Sequence, residues 1–229
     1  PIGEVAYGTT PDGGAFERNG IPFIRSQNLV LLSVDTPSLV FCNDEFHRQN
    51  LKSMVRPGDV LFAAVGATIG QVAVAPLDLA EANINQNIAR VHIVSSQFLP
   101  AYVAVFLSTY WGQFQIQRLA TGNAQQYLNS HQICQLKIPR IPLYKQGEIE
   151  NLARQARQKQ KDSDLLYLHA EQMLLAELGL DKVDLSQPNY CTVSLSQAQK
   201  VNRIDAEHFQ PKYDRMFQPL SGTGRAKRL

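Results

Sequence analysis

The sequence has few cysteines and no long apolar run. Its three cysteines, Cys42, Cys134 and Cys191, are far apart and form neither a CxxC pair nor a cysteine–histidine pattern. Such isolated thiols are typical of reduced cysteines in a cytosolic protein, and they argue against a disulfide or a zinc site. No apolar run reaches about 18 residues and no signal peptide is recognisable, which argues against membrane spanning and secretion. We therefore expect a cytoplasmic protein that does not bind a membrane.

Motifs that carry catalysis are also missing. A nucleotide-binding enzyme needs a phosphate-binding loop, but neither GxxxxGK[ST] nor GxGxxG occurs, and the glycines of Gly66–Gly70 come without a lysine. The five histidines are dispersed and predict no metal-binding cluster, and no nucleophile elbow indicates a serine hydrolase. We expect a protein that is not an enzyme and that binds no metal or cofactor of its own.

The charge of the chain is close to balanced. Twenty-two basic and 20 acidic residues give a formal charge of +2. Residues 1–140 contain nine of each sign, residues 141–178 five basic against six acidic, and residues 179–229 eight basic against five acidic. A DNA-binding surface in the first 140 residues would therefore be a local patch. The hydrophobic content of 44% is that of an ordinary globular protein with a real core.

A long helix is the strongest prediction from the sequence. From Lys145 to Leu178 there is no proline and no glycine after Gly147, and strong helix formers dominate. Less polar residues recur there in alternating steps of three and four, the spacing of a heptad seam. With Lys159 filling one gap, the seam consists of Ile149, Leu152, Ala156, Ser163, Leu166, Ala170 and Met173. Such a helix would be about 50 Å long, too long for one small domain to bury, so we expect a spacer that packs on another helix.

Apolar runs before this helix predict a mixed domain of strands and helix. Val60–Val65 and Gln71–Ala75 are predicted to pair as a hairpin, and Ile88–Val94 is predicted to be a further strand. Helical spacing of aromatic residues predicts one helix over Pro100–Leu119, and a closing strand is predicted over Ile133–Ile138.

The chain changes character after the long helix. Gly179 and Pro188 predict the end of the helix, a short strand is predicted over Tyr190–Leu195, and Ser196–Val201 is predicted to begin a helical turn. The basic residues 221–229 show no pattern of regular structure.

Carboxamide and arginine side chains cluster in loops that follow the apolar runs. Asparagine and glutamine can bind adenine edges, and arginine can bind guanine edges, so these loops suit the reading of bases. The alternative is that the amides satisfy turns and backbone groups. The candidate DNA-binding residues are Arg25, Gln27, Asn28, Asn83, Asn85, Gln86, Gln125 and Gln126.

The order of several short motifs resembles that of a known family. The motifs are Gly8–Pro11, Ile21–Arg25, Arg56–Leu61, Gly66–Gly70, Asn87–Ile88, Phe98–Tyr102, Gly122–Leu128 and Ile141–Leu143, followed by Gln146 and Ile149. In this order, and ending in a heptad helix, they resemble the specificity subunit of type I restriction–modification systems over roughly residues 3–178. The segment Arg203–Pro211 resembles the lead-in to a further recognition domain of that family.

The resemblance implies a fold and a domain organisation. It implies an α+β fold in which a mixed-sheet target-recognition domain, residues 1–142, is followed by a long coiled-coil-type spacer helix, residues 143–179. Residues 180–229 would be a connector and the start of a second repeat or a tail. The residues expected to contact a partner or a second copy through the helix are Ile149, Leu152, Ala156, Leu166, Ala170 and Met173.

The resemblance also implies a function. Such subunits have no catalysis of their own: each recognition domain reads one half of a split DNA target, and paired spacer helices set the distance between halves. Methyltransferase subunits use S-adenosylmethionine to methylate adenine, and a motor-nuclease subunit joins to cut unmodified DNA. The expected partners of this chain are thus double-stranded DNA, methyltransferase subunits, the motor-nuclease subunit and a second copy of the chain.

This sequence differs from a full specificity subunit in having one recognition domain. It could be a fragment, a half-subunit that dimerises through the helix, or the specificity module of a single-chain type II restriction–methylation enzyme. The residues alone leave other classes open as well: a helical adaptor that binds protein or carbohydrate but no DNA, or an enzyme with an unrecognised site.

Overall fold

The structure, a computed structural model of the chain, describes residues 2–12, 16–79, 81–186 and 190–222, with side chains described as far as residue 220. By its internal contacts the chain divides into two compact units, Pro1–Lys159 and Gln160–Leu229. Residues 223–229, most of the tail considered above, lie outside the described part.

The strands and the short helices before the long helix all belong to the first unit. The strands are β1 (Gly3–Tyr7), β2 (Ile21–Ile24), β3 (Leu29–Val30), β4 (Ser33–Val34), β5 (Val40–Cys42), β6 (Met54–Val55), β7 (Val60–Ala63), β8 (Val72–Val74), β9 (Ala82–Ile84) and β10 (Ile88–Ile93). The α-helices among the described residues are α1 (Asp44–Gln49), α2 (Pro100–Ser108), α3 (Tyr110–Leu119), α4 (Ser130–Cys134), α5 (Leu143–Leu178), α6 (Leu195–Val201) and α7 (Pro211–Gly222).

Two four-stranded sheets form the framework of the first unit. In the first sheet the order is β1-β10-β7-β8, and each neighbouring pair is antiparallel. In the second sheet the order is β5-β2-β9-β6, with β2 and β9 parallel and the other pairs antiparallel. A hairpin pairs β3 with β4. The fold is therefore α+β, a mixed-sheet domain followed by a long helix, and the predicted fold class is confirmed.

Strand β7 lies at the centre of the core because both of its faces are buried. Val60 and Phe62 pack in one apolar cluster with residues of α2 and α3, whereas Leu61 and Ala63 pack in a second cluster with residues of the second sheet. This alternation follows from the two-residue period of a strand. Complete burial of a side chain such as Phe62 contributes about 1.5–3 kcal/mol. The strand thus joins the helical layer to the second sheet.

The single helix predicted over 100–119 is wrong, because the structure has two helices separated at Thr109. Thr109 has an extended backbone and its Oγ1 accepts a hydrogen bond from the Gly112 amide, which starts α3 anew. The two helices pack closely at this corner: a Cβ on Gly112 would lie 2.5 Å from the Leu107 Cα. Tyr110 and Phe114 are consequently exposed and do not extend the buried face of α2.

Two predicted strands are also wrong, and in each case a capping box starts a helix within or beside the predicted strand. Asn129 and Gln132 each bond the other's backbone amide through their side chains, so residues 130–134 form a helix in place of the strand predicted over 133–138. Ser194 and Gln197 form the same motif at the start of α6, and residues 190–194 have no regular structure. The predicted hairpin is confirmed as the antiparallel pair β7–β8.

Candidate nucleic-acid interface

Segments far apart in sequence meet beyond the carboxyl ends of the parallel strands β2 and β9. The Thr9 amide donates to the Ile84 carbonyl at 3.1 Å, and the Asn85 amide donates to the Ile24 carbonyl at 3.1 Å. The chain before β2, the end of β2 and the turn between β9 and β10 therefore share one edge of the domain.

Gly8 allows this close approach. A Cβ at Gly8 would lie 2.0 Å from the Ile84 oxygen and 2.2 Å from the Asn85 oxygen, so no other residue fits without moving the turn. Two residues later, Thr10 Oγ1 donates a hydrogen bond to Gln86 Oε1. The first motif of the resemblance thus supports a turn that carries two of the predicted DNA-binding residues.

The loop that follows α3 joins the same edge through the end of β7. The Ala64 amide donates to the Asn87 carbonyl at 2.9 Å, and the Leu128 amide donates to the Ala64 carbonyl at 2.9 Å. The Gly66 amide donates to the Gln126 carbonyl at 3.0 Å. Backbone hydrogen bonds therefore connect the β9–β10 turn to the loop that carries the two predicted glutamines. We call these connected segments, Gly8–Pro11, Arg25–Asn28, Asn85–Asn87 and Gly122–Tyr127, the loop edge.

Six of the eight predicted DNA-binding residues have side chains that are at least partly exposed on the loop edge. Four are exposed: Gln27, Gln86, Gln125 and Gln126. Arg25 and Asn85 are half-buried, and each has one buried polar atom, Nε and Oδ1 respectively, without a hydrogen-bond partner in the described chain. Since buried polar atoms normally have partners, these two mark the edge as incompletely satisfied.

Asn28, in contrast, is buried and serves the fold. Its Oδ1 accepts a hydrogen bond from the Arg25 amide at 2.9 Å, and its Nδ2 donates to Ser38 Oγ at 2.8 Å. These bonds fix the loop after β2. We therefore remove Asn28 from the DNA-binding set, because its amide is already used inside the protein.

Asn83 is removed for the same reason. It is buried in the middle of the second sheet, where Nδ2 donates to Ser53 Oγ at 2.9 Å and to the Asn50 carbonyl at 3.2 Å. Its Oδ1 lies 2.5 Å from His47 Nδ1. This hydrogen-bond network joins β9 to α1 and to the turn after α1. The cluster of amides in the sequence around Asn83 does not indicate such a buried network.

The motif Arg56-Pro57-Gly58-Asp59 is explained by a buried carboxylate. Asp59 is 1% exposed, and its Oδ2 accepts a hydrogen bond from the Arg56 amide at 2.8 Å, which closes the turn before β7. On β10, Arg90 Nη1 lies 3.5 Å from Oδ2 and His92 Nδ1 lies 2.6 Å from Oδ1. The Arg90 guanidinium compensates the buried charge, so the motif is structural.

The balanced charge of residues 1–140 conceals a separation of charge along the chain. No aspartate or glutamate occurs between Glu81 and Glu148, whereas residues 1–81 contain nine acidic and five basic residues. The basic residues between these two glutamates are Arg90, Arg118, Lys137, Arg140 and Lys145. Arg118, Lys137 and Arg140 have exposed side chains. This segment contains two parts of the loop edge, Asn85–Asn87 and Gly122–Tyr127. Its positive charge favours an anionic ligand.

Helix α3 has an aromatic face that the sequence did not indicate. Tyr110, Trp111 and Phe114 are 72%, 69% and 54% exposed, and the Tyr110 and Phe114 rings stack at 6.0 Å. Gln113 points inward, where its Nε2 donates to the Gly70 carbonyl at 2.8 Å. A partly buried polar residue therefore lies on the same helix as three exposed aromatic residues, whereas Ile116 supplies the buried apolar contact of the helix.

The first turns of helix α5 pack on the domain. Ile149 packs on the core cluster that contains α2, as a residue of the predicted seam. The other seam residues expected to contact a partner are exposed: Leu152, Ala156, Leu166, Ala170 and Met173. Their partner stays a prediction.

Within the described residues, no group of three or more histidine, cysteine, aspartate or glutamate side chains could hold a metal ion. No helix among those residues is both long and apolar enough to span a bilayer.

Comparisons with known proteins identify the fold. No family profile and no curated protein matches the sequence. A solved structure concerning complex assembly and conformational transition of the type I R-M system matches with a TM-score of 0.51 and 20% identity, over 76% of this chain and 40% of that one. The crystal structure of the HsdS subunit from Thermoanaerobacter tengcongensis matches with a TM-score of 0.48 and 20% identity, over 69% of this chain and 36% of that one. The type I restriction–modification S subunit from M. genitalium matches with a TM-score of 0.47 and 13% identity, over 85% of this chain and 54% of that one. At this identity the first similarity establishes the fold alone, and the chain spans less than half of that neighbour.

Proposed function

We propose that this chain recognises a DNA sequence as the specificity component of a type I restriction–modification complex. The observation that carries the proposal is the loop edge: backbone hydrogen bonds bring together loops with one half-buried arginine, one half-buried asparagine and four exposed glutamines. This edge belongs to a fold similar to that of a structure of the type I R-M system.

The chemistry of the loop edge suits duplex DNA. Exposed glutamines can bind adenine in the major groove, and Arg25 can bind guanine. The exposed basic residues from Glu81 to Arg140, namely Arg118, Lys137 and Arg140, would contact phosphates without opposing carboxylates from the same segment. The set we propose to read bases is Arg25, Gln27, Asn85, Gln86, Gln125 and Gln126.

The finer proposal concerns the complex. The chain would read one half of a bipartite target and contribute no catalytic group. Methyltransferase subunits, which hold S-adenosylmethionine, would methylate adenine, and a motor-nuclease subunit would cut unmodified DNA. The exposed seam of α5 would pack on a second spacer helix, and a second copy of this chain would supply that helix if the target halves are identical.

The direct test is a map of methylated adenines in the native host, with and without the gene. We expect methylation at one split motif to disappear when the gene is deleted and to return on complementation. A motif with identical inverted halves would support the homodimer. An unchanged map, together with no methyltransferase recovered on the chain, would contradict the proposal.

Binding of duplex DNA by the chain distinguishes this function from a helical adaptor. We expect affinity to fall steeply with salt, because contacts to phosphates release counterions. Gln125→Ala and Gln126→Ala should each relax the preference at one base pair, by about 1–3 kcal/mol. Gln160→Ala, on the exposed part of α5, is the control. Binding that ignores both salt and sequence would favour the adaptor.

A further inference from the structure

The docked part of α5 presents one face to the recognition domain. Gln146 is completely buried, and Ile149, Ala153 and Arg157 are partly buried, whereas Leu152 next to this row is 65% exposed. Steps of three and four residues place the four inward residues on one side of the helix. Ile149 belongs both to this face and to the heptad seam. After it the seam residues Leu152 and Ala156 each lie one residue before an inward residue, which is about 100° around the axis.

The first anchor contact of this face is Gln146. Its Nε2 donates to the Gln97 carbonyl at 2.8 Å and to the Ile141 carbonyl at 2.9 Å, and its Oε1 accepts from the Leu99 amide at 2.8 Å. A single buried amide therefore binds three backbone groups, just before α2 and just before α5 itself. This contact fixes the position of the first turn.

The second anchor contact is Arg157, three turns further along. Its Nη1 donates to the Leu32 carbonyl at 2.8 Å. Leu32 lies in the β3–β4 turn with φ of 58°, an uncommon conformation for a leucine, and its amide donates to the Val72 carbonyl at 3.0 Å. The acceptor is thus held by its own bond to β8. Desolvation lowers the pKa of Arg157, as expected for a guanidinium enclosed on the domain surface.

We propose that Gln146 and Arg157 together set the direction of the spacer helix on the recognition domain, with Arg157 as a positioning residue for the distance between half-sites. The two anchor contacts are 11 residues apart, about 16 Å along the axis, and two separated points define the direction of a rod. They also fix its rotation, so that the seam residues Leu152 and Ala156 stay exposed in the docked part of the helix. The effect on half-site distance rests on the proposed function, whereas the direction of the helix does not.

The direction can be measured in the full chain by spin-label distances. Labels would be placed on the exposed Cys134 and on a Gln172→Cys variant, with the exposed Cys191 changed to serine and the buried Cys42 retained. In Arg157→Ala the remaining anchor is Gln146, and Gln172 lies 26 residues beyond it, about 39 Å, so a tilt of about 10° moves the label by about 7 Å. We expect Arg157→Ala to broaden or shift the distance distribution by about this amount.

Arg154→Ala is the matched control. Arg154 is an exposed arginine on the same helix whose Nη2 donates to Asn151 Oδ1, so its loss changes the charge equally but touches no anchor contact. It should leave the distribution unchanged. Arg157→Lys, which keeps one donor, should restore part of the narrow distribution. Equal distributions for Arg157→Ala and Arg154→Ala would overturn the proposal.

The consequence for spacing is tested with the full chain assembled with its methyltransferase. Substrates would carry the half-sites at the native distance and at one base pair more or less. We expect Arg157→Ala to reduce discrimination between these substrates roughly tenfold, as loss of one hydrogen bond from a charged group allows, and Arg154→Ala to retain it. Undiminished discrimination, or equal loss of methylation on all substrates, would refute the spacing role. If the unmodified chain directs no methylation at all, the proposed function fails, and the spin-label distances alone decide the role of Arg157.

Discussion

The carboxylate of Asp59 holds the turn from which β7 begins. Its buried oxygens meet the Arg56 amide, Arg90 and the partly exposed His92. Asp59→Asn keeps the shape and the bond to Arg56 but leaves the Arg90 charge uncompensated. We expect it to lower the free energy of unfolding in urea by about 3 kcal/mol.

The exposed Asp78 provides the control for this measurement, since Asp78→Asn makes the same charge change on the surface. It should alter the free energy of unfolding by less than about 0.5 kcal/mol. Equal small effects from both variants would mean that the Asp59 pairs contribute nothing.

Tyr7 should make the stability of the domain decrease at alkaline pH. Burial raises the pKa of Tyr7 to about 12, and its hydroxyl donates to the Leu128 carbonyl. The ordinary tyrosine pKa is about 10, so the unfolded chain releases this proton first. The contribution to stability is therefore fully present below about pH 10 and is lost as pH rises towards 12.

Urea unfolding at a series of pH values between about 9 and about 11 measures this loss. Tyr7→Phe, which cannot ionise, should show a smaller decline than the unmodified chain. Some decline should remain, because burial also raises the pKa of Tyr102. Identical pH profiles would show that Tyr7 does not titrate with unfolding.

The residues also show why the candidate site could be predicted only in part. The sequence placed Asn28, Asn83 and Gln86 in one class, since all are amides beside apolar runs. Which of them is buried depends on Ser38, Ser53 and Asn50, partners 10 to 33 residues away, and no local pattern encodes that pairing.

At the scale of elements, the turn between β9 and β10 depends on what packs behind it. Gly8→Ala would make a methyl group overlap the carbonyl oxygens of Ile84 and Asn85, so the turn would have to move. We expect a loss of about 1–3 kcal/mol of stability from this overpacking. Because the displaced turn carries Asn85 and Gln86, DNA affinity should fall as well.

Gly147→Ala is the control, and its expected effect on stability is opposite to that of Gly8→Ala. Nothing lies within 4 Å of a Cβ at Gly147, and the residue is inside α5. Alanine should therefore raise stability, by about 0.5–1 kcal/mol, and leave DNA affinity unchanged. Calorimetry and a binding titration on both variants give the comparison, which would fail if Gly8→Ala behaved like Gly147→Ala.

Elements specified by local composition could be predicted, and those specified by distant contacts could not. The hairpin β7–β8 and the helix α5 follow from turn residues and helix formers. The parallel pairing of β2 with β9 joins residues 60 positions apart and is decided by the tertiary fold, which periodicity does not report. The break at Thr109 is instead a local cap, in which Thr109 Oγ1 accepts a hydrogen bond from the Gly112 amide, and the helical spacing of the aromatic residues on both sides obscures it.

At the scale of the whole molecule, the length of α5 and the exposure of its seam make one prediction about DNA. Inserting one heptad after Asp162, beyond both anchor contacts, keeps the seam in phase and lengthens the helix by about 10.5 Å. On duplex DNA this corresponds to about three base pairs. We expect the methylated motif to keep both recognised halves and to gain about three unread base pairs between them, as read from a methylation map.

An insertion of three residues at the same place separates length from phase. It rotates everything after it by about 300° relative to the anchor contacts, so Leu166 and Met173 no longer lie on the same side of the helix as Leu152. Pairing of the helices should then weaken and methylation should fall without a new motif. If the heptad variant kept the original spacing while the three-residue variant lost methylation, α5 would be needed for assembly but would not determine the distance between half-sites.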